Sequence, residues 1–130
     1  EVRQSDAYYA SAPNYGDTGT IACAPPAPPG FARPGAESFN DIVARVDRVQ
    51  ERLAAREDTV LCVSHWGFIH FFLGRTMFRD AFAPHHLPAL FRISHANTGI
   101  TIFEQRENYV IDGVAFDGWA LVTWNDQAHL

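Results

Sequence analysis

The chain has 130 residues, 47% hydrophobic, 19% charged and 13% aromatic, which suits one packed domain burying roughly two-thirds of the surface its unfolded form exposes. Its net charge of −5 comes from 15 acidic against 10 basic residues; every base is arginine, and with no basic stripe to follow a phosphate backbone a nucleic-acid partner is not expected. No apolar run is long enough to span a bilayer and the opening EVRQSDAYY has no secretion-signal character, so a cytoplasmic protein with no membrane partner is expected.

Residues 1–36 are crowded with Pro, Gly, Ala and small polar residues and have no sustained period. They read as an irregular cover or loop, with APPAPPG locally in polyproline II, ahead of an α/β core over 37–130. Order begins at ESFNDIVARVDRVQERLAARED. Phe39, Ile42, Val43, Val46, Val49 and Leu53 recur at three- and four-residue steps against a charged opposite face, which predicts an amphipathic helix. Ser38 with Asp41 three residues on predicts a capping arrangement at its start.

TVLCVS, residues 59–64, is β-branched and apolar on both faces, as a central parallel strand would be, so Cys62 is expected to be a buried thiol. GFIHFFLGRTMF predicts a second helix, and the two prolines of APHHLP a connection. ALFRIS, TGITIFEQ and GWALVTW read as strands, the last two joined by a turn-rich RENYVIDGVAFDG. The whole predicts a single α/β domain segment over 1–130, a three-layer α/β/α arrangement on a mixed, mainly parallel sheet.

The most informative feature is the break in VLCVSHWGFIHFF, where an apolar strand gives way at Ser64, His65, Trp66 and Gly67 to a helix. A strand that turns directly into a helix leaves unpaired N–H groups at a sheet edge, where anions bind. Gly67 permits a tight turn and close approach of a ligand, and His65 adds a donor that can carry positive charge. Phosphate is the natural guest, with His65, Trp66 and Gly67 around it; the competing reading is a histidine that only caps or packs. The remaining histidines form no metal set: His85 and His86 are adjacent and would point apart on a regular element, and Cys23 and Cys62 have neither zinc nor disulfide spacing. Asp17-Thr18-Gly19 also matches the aspartic-protease triplet, but prolines follow it and helices dominate the middle of the chain.

PGAESFNDIVARV, TVLCVSHWGFIHFFLG, HANTGITIFE and WALVTWNDQAHL, in that order over residues 34–130, closely resemble the C-terminal half of the histidine phosphatase superfamily, the phosphoglycerate mutase-like enzymes. Their pattern runs P-G-E-S-F, V-V-S-H-G-G-x-I-R, N-x-S/T and x-N-D-x-A-H-L. The resemblance implies a phosphate monoester hydrolase working without metal or cofactor through a phosphohistidine. It casts His65 as the protonated histidine that stabilises the transferring phosphoryl group, and a glutamate as general acid and base.

The family's nucleophile stands in Arg-His-Gly, a tripeptide absent from these residues. The expectation is therefore a segment whose partner is the N-terminal half of the same domain, inactive alone, acting on a small-molecule phosphate ester or inorganic phosphate. In several branches the acid/base glutamate stands in L-x-E-V, which aligns Glu1 with that role. Glu37 falls at a loop and helix start, and Asn97-Thr98 either lies beside the site or forms a structural turn. Trp66 replaces a common Gly and His70 a common Arg, the latter expected on a helix face. A phosphate-binding domain without catalysis and a mutase remain alternatives; the substrate and the oligomeric state stay open.

Overall fold

A computed structural model describes residues 37–129. The first helix, α1, spans Phe39–Ala54 and starts as expected: Ser38 is its N-cap, its hydroxyl accepts from the Asp41 N–H at 3.2 Å, and the Asp41 carboxylate accepts from the Ser38 N–H at 2.8 Å. The second helix, α2, spans Trp66–Phe78. Val46 of α1 and Phe71, Phe72 and Leu73 of α2 form the core with Phe82 and Leu90. Arg75 of α2 is held to Asp47 of α1 at 2.7 Å.

Short 3-10 turns at Arg79–Ala81 and Pro84–His86 lead into the one-turn helix α3, Leu87–Leu90. This corrects the strand expected at ALFRIS: Pro88 sits in the first turn of α3, where its missing N–H costs nothing, and Leu90 turns into the core. Strands β1, Ile100–Ile111, and β2, Val114–Asp126, then pair antiparallel. The presumed connection between them is itself strand. Its only turn is Asp112-Gly113, both at positive φ (49° and 80°), the two-residue geometry that matches strand twist. Phe72 of α2 meets Phe103 of β1 and Trp119 of β2 at ring separations of 4.6 and 5.5 Å.

The described residues thus make a mixed α/β structure whose sheet has two antiparallel strands. The parallel central strand expected at TVLCVS does not form among them: residues 59–64 are irregular and exposed, Leu61 at 91% and Val63 at 96%. Cys62 is exposed rather than buried. A β-branched run apolar on both faces becomes a central strand only when strands flank it on both edges, and no described strand does. No helix of the described residues is long and apolar enough to cross a membrane.

Candidate functional site

His65 occupies the N-cap of α2 in an extended conformation (φ −95°, ψ 149°). Its carbonyl accepts the first helical bond, from the Ile69 N–H at 3.1 Å. Its exposed side chain makes no capping bond, so the N–H groups of the first turn lack the acceptor a Ser or Asp would provide. No acid lies in that turn, and the helix field there favours an anion. A Cβ on Gly67 would meet nothing within 4 Å; the glycine faces open space, and packing does not require it.

Behind this turn lies His70, fully buried. Its Nδ1 is 2.8 Å from the Trp66 carbonyl oxygen and its Nε2 is 2.9 Å from that of Ile93. The Trp66, Phe91 and Trp124 rings surround it at 4.5, 5.8 and 5.1 Å. The sequence reading placed His70 on a helix face, which is correct, but could not see that it joins the start of α2 to the segment before β1.

That segment, residues 93–99, is fixed from β2. Trp124 Nε1 donates to the Ser94 carbonyl at 2.8 Å, and Asn125 Oδ1 accepts from the Ala96 N–H at 2.8 Å. Asn125 has φ 53° and lies where the β1–β2 register slips, an irregularity of the kind that re-aims a side chain. Gly99 is needed here, because a Cβ would stand 2.0 Å from Asn125 Oδ1. The Thr101 hydroxyl accepts from the Asn125 N–H at 3.1 Å and lies 3.2 Å from His95 Nε2. The H-A-N-T-G and W-N-D stretches are therefore tied to one another, and their His95 and Trp124 stand beside His70, behind the first turn of α2.

A family model for the histidine phosphatase superfamily (branch 1) matches residues 22–127. The chain belongs to the histidine phosphatase superfamily. No curated protein and no solved structure matches it. That superfamily takes in both phosphatases and mutases.

Other residues singled out in this member of the superfamily have separate places, or lie outside the described residues. Glu1 and Asp17-Thr18-Gly19 fall outside the described residues, as does Cys23. Trp66 opens α2 and packs its indole on His70 and Phe91. Glu37 pairs with Arg45 at 3.0 Å on an exposed surface, a local ion pair of small energetic worth. Asn97-Thr98 forms an exposed turn in which Thr98 has φ 66°. His85 and His86 do not point apart: their rings lie 4.0 Å from one another, and His86 stacks on Phe78.

A cleft of about 220 Å³ lined by Gln50, Arg75, Thr76, Arg79 and Trp119 lies toward the other end of α2, roughly 15 Å from His65 at 1.5 Å of rise per residue. Its Arg75 already serves Asp47 and Asp80, its Arg79 donates to the Asp117 carbonyl at 2.9 Å, and Asp80 itself lines the cleft, so an acid stands where a phosphate would need only cations. His95, Thr101 and Trp124 were not foreseen as site residues. The one sequence signal for them is their inclusion in the stretches that flank the motif polar residues.

Proposed function

We propose that the chain is the C-terminal part of a phosphate monoester hydrolase that works through a phosphohistidine, with the nucleophile on a polypeptide segment outside these 130 residues. The observation that carries this reading is the start of α2: an exposed histidine at the N-cap, first-turn N–H groups without a capping side chain, no acid in that turn and open space at Gly67. Membership of the family supports it.

In this reading the phosphoryl group lies against the His65 ring and the Trp66 and Gly67 amides. The nucleophilic nitrogen forms a bond to phosphorus as the ester oxygen leaves with its electron pair, and Glu1 protonates that oxygen. Glu1 then takes a proton from water as the water oxygen attacks phosphorus, releasing inorganic phosphate and restoring the nucleophile. His65, as the imidazolium, stabilises the charge of both transition states. Thr59–Ser64 is then a strand of a larger, mainly parallel sheet completed by the segment that brings the nucleophile. That its apolar side chains stand exposed supports this assignment.

The test is hydrolysis of p-nitrophenyl phosphate by the homogeneous chain, and by the chain together with the preceding polypeptide bearing Arg-His-Gly. The chain alone is expected to show no turnover and the assembled protein to hydrolyse the ester. There His65→Ala should cost roughly two to four kcal/mol of transition-state stabilisation. Hydrolysis by the 130-residue chain alone, or unchanged kinetics in His65→Ala, would refute the assignment. The absence of Arg-His-Gly from the chain favours one second reading, a phosphate-binding domain without catalysis; it predicts phosphate binding and no turnover in either preparation.

A further inference from the structure

A neutral imidazole has one N–H and one lone pair, and a carbonyl oxygen only accepts. His70 sets both ring nitrogens within hydrogen-bond distance of carbonyl oxygens, Nδ1 at 2.8 Å from Trp66 and Nε2 at 2.9 Å from Ile93. Either neutral tautomer would press a nitrogen lone pair against an oxygen lone pair in a place with no solvent exposure. Turning the ring over would set carbon atoms against both oxygens, and the surrounding Trp66, Phe91 and Trp124 rings leave it little room to swing aside.

We propose that His70 is carried as an imidazolium whose two ring N–H groups clamp the first turn of α2 to the segment around Ile93, and so position His65. The aromatic rings around it are suitable neighbours for a buried cation. The rings packed against it, Phe91 at the end of α3, Trp124 of β2 and Trp66, its neighbour on α2, are uncharged. Among the described residues the titratable side chain facing it is His95, at 6.4 Å between ring centres. The Thr101 hydroxyl already accepts from the Asn125 N–H and is free to donate its own proton to His95 Nε2.

The clamp is distinct from the helix's own hydrogen bonds. It ties the turn following His65 to a carbonyl 23 residues further along the chain than the histidine itself. His70 touches no phosphate in this arrangement; it is a positioning residue, acting on His65 through the Trp66 peptide. Its bearing on phosphate rests on the phosphatase reading, whereas the number of protons on its ring does not.

The test is long-range proton–nitrogen NMR on the full chain labelled with nitrogen-15 at histidine, at neutral pH. Both His70 ring nitrogens are expected at the shift of protonated nitrogen, each with a slowly exchanging proton; one nitrogen at the unprotonated shift overturns the proposal. A second readout is amide exchange in His70→Gln, whose side chain cannot donate from two sides of a ring. The Ile69 amide, which bonds to the His65 carbonyl, should exchange about tenfold faster or more while Thr76 near the far end of α2 holds its rate. An unchanged Ile69 rate overturns the clamp. Titration of the unsubstituted chain with inorganic phosphate separates the two claims: two ring protons on His70 with no response at His65 would sustain the clamp and count against the phosphatase reading.

Discussion

Gly74 lies in the interior of α2, where replacing glycine by alanine ordinarily stabilises a helix by about 1 kcal/mol. Here the neighbouring ring reverses the sign. A Cβ on Gly74 would fall 2.4, 2.5 and 2.9 Å from three atoms of the Phe82 ring, well inside van der Waals contact. That ring is 7% exposed and wedged by Phe39, Phe71 and Phe78 at 5.1, 5.7 and 6.2 Å, so it must carry its neighbours with it to yield. Overpacking a core by one methyl costs roughly 1–3 kcal/mol, and a wedged ring puts this site in the upper part of that range. With the helix gain subtracted, Gly74→Ala should destabilise the chain by about 1–2 kcal/mol. In urea unfolding followed by tryptophan fluorescence, that lowers the midpoint by about 1 M at an ordinary slope for a small domain. The control is Phe82→Leu, which removes the obstructing ring; in that background Gly74→Ala should become neutral or stabilising by up to about 1 kcal/mol. If Gly74→Ala alone is as stable as the parent, or more so, the packing argument fails.

The remaining predictions concern the helix cap and the site support. The Ser38 hydroxyl, and after it the Ser38 backbone N–H, hold the Asp41 carboxyl below the usual carboxylate range. The folded state thus prefers the ionised form, and this contribution is complete above the ordinary carboxyl value of about 4 and is lost as pH falls through the lowered one. The stability difference between the parent and Asp41→Asn, read by urea unfolding, should shrink as pH drops below about 4; a gap that widens there refutes the cap as described. Ser38→Ala should cost about 1 kcal/mol by the same measurement at neutral pH. Asn125→Ala leaves the Ala96 N–H without its acceptor and should cost roughly 1–3 kcal/mol. It should also lessen the damage done by Gly99→Ala, because the nearest atom to the added Cβ is then gone; strictly additive losses would count against that contact.

The first helix was legible because a stripe at three- and four-residue spacing is enough to specify a surface helix, and the Ser38 and Asp41 pair marked its start; the second has no such stripe, with His70 to Gly74 buried in a row, and was legible only as a long apolar run after a break. ALFRIS misled because a short apolar run has no decisive period, and Pro88 at a helix start reads the same as Pro in a connection. The β1–β2 hairpin was seen only in its halves: Asp112-Gly113 was a turn signal inside a stretch already given over to turn, although Tyr109, Ile111, Val114 and Phe116 continued strand-forming residues on either side of it. His65 stood out as a polar interruption of apolar sequence. His70 did not, since its partners are two backbone carbonyls, and no side chain in the sequence reports where a carbonyl from 23 residues away will come to rest.

The exposed stretch Thr59–Ser64 has a consequence for handling the protein. It is six residues with no charge, no proline and no glycine, rich in β-branched side chains, the composition that stacks into cross-β ladders when many copies meet. Arg56, Glu57 and Asp58 guard its leading side, two of them joined at 2.7 Å, but on the trailing side the next formally charged residue is Arg75. Left uncovered at high concentration, this hexapeptide is where the chain will begin to aggregate, and a strand laid along it would act as a chaperone before it acted as anything else.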